Sequence, residues 1–223
     1  MTRTWFVTGT DTGIGKTFAS VALLHALRAR GVRALGMKPV ASGCERTEAG
    51  WRNGDALALL AASRPRPAYA DVNPFALPAA TAPQLAAREA GIEVALAPLL
   101  AAFSRLVAQA DAVVVEGAGG WLAPMGDGLE QAALVRAIDA DVVLVVGLRL
   151  GCLSHARLTA RAIEANGCRL VGWIGNRVDR EFDRVEEYLA LLRGALPGPC
   201  LGVLSHAAQG DGAAAAEELV LPG

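Results

Sequence analysis

Short apolar runs recur along the chain, and segments of helical length separate them. Several runs are almost continuous in Val, Leu and Ile, which is typical of strands covered on both faces. The runs predict strands at 4–8, 33–38, 112–116, 141–147, 170–176 and 201–204. The segments between them predict helices at 16–30, 55–63, 93–109, 129–138, 154–166 and 180–193. This alternation favours an α/β fold, a doubly wound and mostly parallel β-sheet flanked by helices.

Glycine, serine and proline suggest where these elements end. Gly31 and Gly167 are predicted to stop helices, and Ser154 is a candidate cap at a helix start. Five prolines between residues 65 and 83 interrupt a long, irregular connection between the second and third strands. Such a loop often lines a site, although a surface excursion is an equal alternative. No repeat or linker divides the chain, so we expect a single domain over residues 1–223.

The composition of the chain argues against several classes of protein. Hydrophobic residues make up 53% of the chain, but the uncharged stretches fall short of the ~20 residues needed to span a bilayer, or contain proline. The net charge is −1 and no Lys/Arg block stands out, which argues against nucleic acid as a partner. The first residues form a predicted strand and leave no room for a signal peptide. We therefore expect a cytoplasmic protein with no membrane partner. The Gly/Ala-rich stretch 209–216 is predicted to be a weakly held loop or a short helix.

A glycine-rich segment follows the first predicted strand. Residues 9–17 read Gly-Thr-Asp-Thr-Gly-Ile-Gly-Lys-Thr, with one residue more before Gly15 than the usual phosphate-binding loop has. Backbone N–H groups around Gly13 and Gly15 can surround an anion because glycine allows tight turns. Lys16 can reach the β- and γ-phosphates, and the Thr17 hydroxyl can bind Mg²⁺. A helix that begins near Lys16 would direct its positive end at the same phosphates. The segment predicts nucleoside triphosphate binding in a P-loop NTPase-like fold, although a Gly-rich turn before a helix is often only a turn.

Charged side chains also follow the second and third predicted strands, where ligands bind in open α/β sheets. Lys38 is either a solvated strand end or a second cation in the crevice, suited to a substrate with several anionic groups. Glu116 follows four apolar residues, and its burial is costly without a cation. Mg²⁺ bound to a triphosphate would supply that cation. Asp55 is a second candidate ligand for the metal, or an N-terminal dipole partner or cap of a helix.

The remaining strand ends offer weaker signals. The amide of Asn176 can read a purine edge, with simple turn formation as an equal alternative. The helix start at 151–154 could bind a carboxylate through its N–H groups and dipole. His206 could line a nucleotide pocket, and His155 is interpreted as a structural or interface residue. No Ser/His/Asp nucleophile motif or glycosidase-like carboxylate pair emerges, so the set suits phosphoryl transfer, in which positioning and charge stabilisation supply most of the catalysis.

Together these motifs resemble dethiobiotin synthetase, an ATP-dependent enzyme family of biotin biosynthesis. The matching pieces are 6–12 with Gly-Lys-Thr at 15–17, Lys-Pro-Val-Ala-Ser-Gly at 38–43, Arg-Asn at 52–53, Asp-Ala-Leu at 55–57, Val-Asn-Pro at 72–74, Glu-Gly-Ala-Gly-Gly-Trp at 116–121, Leu-Gly-Cys at 150–152, Gly-Trp at 172–173 before Asn176, and Leu-Gly at 201–202. They lie in register over nearly the whole chain. Each piece alone means little, but the combination is highly specific.

The resemblance implies a ligase that forms carbon–nitrogen bonds. Its substrate would be 7,8-diaminononanoate, one amine of which captures CO₂ as a carbamate. That carbamate would attack the ATP γ-phosphate to give a carbamic-phosphoric anhydride. The second amine would then close the cyclic urea of dethiobiotin, and ADP and phosphate would be released. ATP and Mg²⁺ are the implied cofactors, diaminononanoate and CO₂ or bicarbonate are the substrates, and the implied assembly is a homodimer.

The resemblance also implies roles for individual residues. Catalytic roles fall to Lys38, Lys16 and Thr12. Nucleotide contacts fall to Gly13, Ile14, Gly15, Lys16, Thr17, Phe18, Asp55, Glu116, Gly117, Ala118, Gly119, Asn176, Arg177 and Ser205. Substrate contacts fall to Thr12, Ser42, Lys38, Gly119, Gly151, Cys152, Leu153 and Ser154, the last four binding the substrate carboxylate across the dimer interface. The implied Mg²⁺ ligands are Thr17, Asp55 and Glu116.

The sequence departs from the family at some positions, and a rival class shares its loop. Gly13 stands where some members have an acidic residue, and Ser205-His206 replaces a pair similar to Pro-Trp. The alternative is a dimeric switch ATPase of the partitioning or cell-division-positioning type (ParA/MinD-like). Those proteins carry an early lysine in the loop, where this chain has Asp11, and often a membrane helix or a basic DNA-binding surface. Asp11 therefore favours the ligase.

Overall fold

A computed structural model describes residues 2–206 and 210–222. The strands are β1 (Arg3–Gly9), β2 (Ala34–Met37), β3 (Val40–Ala41), β4 (Glu45–Thr47), β5 (Gly50–Arg52), β6 (Phe75–Ala76), β7 (Ala112–Glu116), β8 (Pro124–Gly126), β9 (Leu129–Glu130), β10 (Asp141–Gly147), β11 (Leu170–Asn176) and β12 (Cys200–Leu204). The helices are α1 (Lys16–Ala29), α2 (Gly54–Ala62), α3 (Tyr69–Val72), α4 (Pro83–Ala90), α5 (Leu96–Val107), α6 (Gln131–Ala137), α7 (Cys152–Ala165), α8 (Val185–Ala195) and α9 (Gly212–Glu217).

The six long predicted strands form one sheet in the order β12-β11-β10-β1-β7-β2. Every neighbouring pair in it is parallel. Successive residues of β1 point to opposite faces, so that Phe6 packs into one apolar cluster and Val7 into another. The first cluster includes α5 and α6, and the second includes α1 and α2. The prediction of a doubly wound parallel sheet is therefore confirmed.

The helix ends agree less well with the sequence. The helix predicted from 129 begins at Gln131, because Leu129–Glu130 pairs with Pro124–Gly126 as a hairpin. The prediction that Ser154 caps a helix is wrong, since Gly151 is the N-cap of α7 in a left-handed conformation with φ 91°. The helix predicted from residue 180 begins at Val185, after a turn in which the Glu181 N–H donates to the Asp179 carboxylate. Gly31 and Gly167, the predicted stops, both lie just past helix ends with positive φ.

The proline-rich connection is more ordered than the sequence predicts. Between β2 and β7 it holds the pair β3–β6, the hairpin β4–β5 and the helices α2 to α5. Residues 80–83 line the cleft described below, so of the two alternatives that the sequence leaves open, the structure favours a connection that lines a candidate site. At the other end of the chain, 212–217 form the short helix α9, while Gln209 of the predicted segment lies outside the described residues. Among the described residues, no helix is both long and apolar enough to cross a membrane.

Candidate active site

A cleft of about 720 Å³ opens where β1, β2 and β7 end at the same edge of the sheet. Parallel strands present their carboxyl ends together, so the loops that follow them share one crevice. Predicted site residues that line the cleft are Thr12, Gly13, Gly15, Lys16, Thr17, Lys38, Ser42, Asp55, Glu116, Ala118 and Gly119. Residues more than a hundred positions apart in the sequence are therefore brought together as the sequence implies.

Lys38 lies at the centre of the charged residues. Its ammonium donates to Glu116 at 2.5 Å, to Asp55 at 3.0 Å and to the Gly117 carbonyl at 3.2 Å. Burial alone would lower the pKa of Lys38, but the two carboxylates outweigh it and raise the pKa above its ordinary value. Lys38 is therefore charged, and it supplies the cation that the buried Glu116 requires.

The same carboxylates contact Thr17, the predicted metal-binding hydroxyl. The Thr17 Oγ1 donates to Glu116 Oε1 at 2.8 Å, so three predicted Mg²⁺ ligands converge on one point. The second oxygen of Glu116 is buried and accepts no hydrogen bond among the described residues. Carboxylate and hydroxyl oxygens are the ligands that Mg²⁺ prefers, with phosphates and water completing its shell. The donor set fits that metal.

Local sequence fixes the position of Asp55. Asn53 is the N-cap of α2, and its side-chain oxygen accepts from the backbone N–H groups of Asp55 and Ala56. The Asn53 amide also donates to the Ser42 carbonyl at 3.2 Å. Asp55 is thus a first-turn residue and not the cap, which leaves its carboxylate available to Lys38. Asn53 therefore connects the start of α2 to the segment that contains Ser42. In the sequence, this role is indicated only by an Asn one residue before a helix.

The phosphate-binding loop is set by positive-φ glycines and by Asp11. Gly13 and Gly15 have φ of 73° and 84°. The Lys16 ammonium donates to the Asp11 carbonyl at 2.8 Å, and Arg149 donates to the Asp11 carboxylate at 2.8 Å. Desolvation first, and then the charge of Lys38, lowers the pKa of Lys16 to about 8.

This lowered pKa predicts a pH-dependent affinity for ATP. Phosphate binding uses the charged form of Lys16, and the free protein loses that charge as the pH rises through about 8. We expect ATP affinity measured by calorimetry between pH 7 and pH 9.5 to fall above pH 8, approaching roughly tenfold per pH unit. Lys16→Arg, whose guanidinium stays charged, should show no such fall. An equally steep fall in Lys16→Arg would contradict the assignment.

Asn176 supports the phosphate-binding loop from beneath. Its side-chain nitrogen donates to the Ile14 carbonyl at 2.9 Å, and only 2% of the residue is exposed. A Cβ added at Gly15 would lie 2.0 Å from that nitrogen. The amide that was predicted to read adenine is thus engaged with the loop through its nitrogen, and its oxygen has no partner among the described residues.

Gly15→Ala should therefore damage the loop severely. The new methyl group would overlap Asn176, and φ of 84° adds backbone strain, so we expect a loss of about 1–3 kcal/mol in stability together with impaired ATP binding. Gly13→Ala is the matched control, because it has a similar φ of 73° but no atom within 4 Å of the added Cβ. Thermal unfolding and ATP titration of both variants measure the difference. Equal effects in the two variants would show that backbone strain, and not the contact with Asn176, decides.

Other predicted site residues lie outside the cleft lining in the described part of the chain. Ile14 is a buried core residue that fills the space beside two glycines of β1 and β10. Phe18 packs against the cluster under α1. Ser205 binds Glu218 through both its N–H and its hydroxyl, at 2.8 and 2.5 Å. Arg177 is exposed and donates its N–H to the Leu204 carbonyl. Residues 151–154 begin α7 and also lie apart from this cleft.

The structure adds residues that the sequence did not single out. Thr81 lines the cleft from the proline-rich connection. Asn73 donates to the Lys38 carbonyl at 2.7 Å, and the Tyr69 hydroxyl links Asn73 to the N–H of Asn53. Gln131 contacts the loop after β7. For Asn73, the sequence offered one indication, the Asn-Pro pair at 73–74. The positions of the other residues depend on the paths of the long connection and of the hairpin β8–β9, which local sequence patterns do not determine.

Comparison with known proteins places the chain among described families. A family model described as an AAA domain matches residues 3–212. The ATP-dependent dethiobiotin synthetase BioD of Xanthomonas oryzae pv. oryzae (strain PXO99A) is 60% identical over 218 residues, covering 98% of this chain and 97% of the relative. The protein of the same name from Xylella fastidiosa (strain 9a5c) is 64% identical over 202 residues, covering 91% of this chain and 89% of the relative.

Solved structures are similar in fold. The MinD cell division protein of Aquifex aeolicus aligns with a TM-score of 0.54 at 14% identity, over 97% of this chain and 87% of that one. Chloroplast FtsY from Physcomitrella patens also aligns with a TM-score of 0.54, at 19% identity, over 91% of this chain and 58% of that one. At such identities the likeness concerns the fold alone, and it agrees with the P-loop NTPase-like sheet.

Proposed function

The chain belongs to the family of ATP-dependent dethiobiotin synthetases, and from that premise we propose how its cleft performs the reaction. It is an ATP-dependent cyclo-ligase that closes the urea ring of dethiobiotin from 7,8-diaminononanoate and CO₂. The observation that carries the proposal for the site is the position of the Lys38 ammonium, between two carboxylates and beside the phosphate-binding loop. The likeness to the cell-division ATPase, at 14% identity, does not extend to function.

The reaction brings together two anionic reactants, the carbamate as nucleophile and the γ-phosphate of ATP as electrophile. A carbamate oxygen attacks the γ-phosphorus, the bond to the β-phosphate oxygen breaks, and ADP leaves. The second amine then attacks the carbonyl carbon of the anhydride and expels phosphate as the ring closes. Both reactants are negatively charged, so their approach requires cations. Lys16 and Lys38 supply fixed positive charge from two sides of the cleft.

The residues divide these tasks by position. Lys16, next to the positive-φ Gly15, is proposed to hold the β- and γ-phosphates. Lys38 is proposed to bind the carbamate and the transferring phosphoryl group. Thr12 and Ser42, which line the cleft on opposite loops, are proposed to contact the diamine head together with the Gly119 backbone. The two carboxylates that accept hydrogen bonds from Lys38 hold its ammonium in place. The positive charge is therefore positioned in the cleft before the substrate binds.

Thr17, Asp55 and Glu116 would hold Mg²⁺, as their hard oxygen donors and the unpartnered Glu116 oxygen indicate. When bound, the metal would neutralise charge on the phosphate oxygens. The side chains that would hold it are already grouped, because Thr17 donates to Glu116 and Lys38 donates to Asp55.

We also propose that two copies of the chain form a homodimer. Leu150 and Leu158, at the start and on one side of α7, are 79% and 62% exposed, and Leu122 is 63% exposed. A second copy would remove such apolar side chains from water. The N-terminus of α7 does not line the cleft of its own chain, and its N–H groups at 151–154 are proposed to bind the substrate carboxylate in the partner's cleft.

Product analysis tests the proposed function. The purified protein is incubated with ATP, Mg²⁺, 7,8-diaminononanoate and ¹³C-bicarbonate, and the products are examined by mass spectrometry. We expect dethiobiotin whose ring carbonyl carries the label, with one ADP formed per ring. ADP formation with no labelled ring would overturn the proposal.

A further inference from the structure

We propose that Gln131 is a positioning residue, whose side-chain amide holds the carbonyl groups of the loop 118–123 away from the cleft and thereby turns N–H donors of that loop toward the bound anions. The inference rests on the proposed function, since it concerns the wall that faces the carbamate and the phosphoryl group. No role for this glutamine follows from the sequence motifs.

The contacts of Gln131 are concentrated on one nitrogen. Gln131 is 0% exposed, and its Nε2 lies 2.7 Å from the carbonyl oxygen of Gly120, 3.1 Å from that of Trp121, 3.2 Å from that of Ala118 and 3.4 Å from that of Ala123. Four acceptors around one atom determine which end of the amide is the NH₂ group. That group has two protons, so the four carbonyls share them and all point toward Gln131.

The other end of the amide constrains the strand end. A Cβ added at Gly117 would lie 2.1 Å from Gln131 Oε1 and 3.0 Å from the ring of Phe6. Only glycine fits between them. The carbonyl of the same Gly117 accepts from the Lys38 ammonium at 3.2 Å. Gln131 therefore packs directly against Gly117. This residue follows Glu116 in the chain, accepts a hydrogen bond from Lys38, and leads into the loop.

The direction of the carbonyls fixes the direction of the N–H groups. In a planar trans peptide the C=O and the following N–H point in opposite directions. With the Ala118 and Gly120 carbonyls turned to Gln131, the N–H groups of Gly119 and Trp121 point away from it. Ala118, Gly119 and Gly120 line the cleft while Gln131 is buried, so the loop lies between the two.

This arrangement gives the cleft wall a positive character. Backbone N–H groups stabilise negative charge on a carbamate or on phosphoryl oxygens, whereas carbonyl oxygens in the same place would repel it. The loop is also fixed at its far end, where the Trp121 indole donates to Asn166 at 2.8 Å. Without the Gln131 amide, the Gly120 carbonyl would keep only the Ala123 N–H at 3.0 Å, and the carbonyls of Ala118, Trp121 and Ala123 would lose this buried donor, so their peptides could turn toward the solvent in the cleft.

Gln131→Met tests the inference, because it keeps the length and apolar volume of the side chain and removes the donors. At saturating ATP, we expect kcat/KM for the diamine to fall about tenfold to a hundredfold, with KM raised and kcat lowered. The stoichiometry of ATP binding should remain within twofold, since the hydrogen bonds of the Gln131 side chain do not include residues 9–17. Gln109→Met is the matched control, because the Gln109 amide donates only to the Arg105 carbonyl on an outer helix turn; it should keep wild-type kinetics.

The outcomes separate a positioning role from a structural one. A structural role would reduce the fraction of protein that binds ATP and leave the KM for the diamine unchanged, which overturns the inference, as would wild-type kinetics. If Gln131→Met does not fold, Gln131→Glu decides: buried beside four carbonyl oxygens, its carboxyl stays protonated and offers one donor proton where the amide offers two, so it should lose about tenfold in kcat/KM, and wild-type values would overturn the inference. Failure of the proposed function is distinct, because the wild-type protein itself would then show no diamine-dependent turnover.

Discussion

Lys38→Ala is expected to abolish ring closure while leaving ATP binding largely intact. Lys38 is the cation that contacts both the buried Glu116 and the half-exposed Asp55, and the phosphate-binding loop retains Lys16 for the nucleotide. Removal of one charged donor that stabilises the transition state lowers kcat by about 10²–10³-fold. Steady-state formation of dethiobiotin and ATP titration measure the two quantities. If ATP affinity vanished instead, Lys38 would be a nucleotide residue and not a substrate residue.

The same substitution should also destabilise the protein. Glu116 is 1% exposed, and the loss of its ammonium partner leaves a buried charge that costs about 3–5 kcal/mol. The double variant Lys38→Ala/Glu116→Gln tests the cause of this instability, because it removes the uncompensated charge. We expect thermal unfolding of the double variant to return toward the wild type. An unfolding temperature as low as that of Lys38→Ala would contradict this cause.

Glu116→Gln alone is expected to raise the Mg²⁺ requirement of the reaction. The amide keeps the shape of the side chain but loses the charge that contacts Lys38 and that is proposed to bind Mg²⁺. We expect the Mg²⁺ concentration for half-maximal activity to rise by at least about tenfold, with lower activity at saturation. A Mg²⁺ titration of product formation measures both. Glu89→Gln, on the exposed side of α4, is the matched control, and an unchanged titration in Glu116→Gln would remove this residue from the metal site.

The strands could be predicted from local sequence patterns. The central site could be predicted from the topology of a parallel sheet. Strands such as 112–116 are nearly continuous in Val, and parallel strands deliver Lys38 and Glu116 to one edge whatever the path between them. The order Gly-Lys-Thr after a strand fixes the start of α1. Those features required no knowledge of distant packing.

The rest depends on contacts that the sequence does not encode locally. The sequence predicts Mg²⁺ as a cation for Glu116, and the structure adds Lys38, whose ammonium donates to Glu116 across 78 positions. Gln131 lies in a segment predicted to be helical from 129, and its role depends on the hairpin that delays the helix. Asn176, for which the sequence left a purine contact and a turn as equal alternatives, donates to the Ile14 carbonyl in the phosphate-binding loop, a contact that the sequence did not predict. In each case tertiary contacts decide which partner a polar group finds.

The proposed function requires that this cleft couples ATP cleavage to ring closure. The most direct measurement is the rate of phosphate release from ATP with and without 7,8-diaminononanoate and bicarbonate, at saturating Mg²⁺. We expect release to depend on both substrates together and to match the rate of dethiobiotin formation. Release at the same rate without the diamine would contradict it, and would favour an uncoupled ATPase of the switch type.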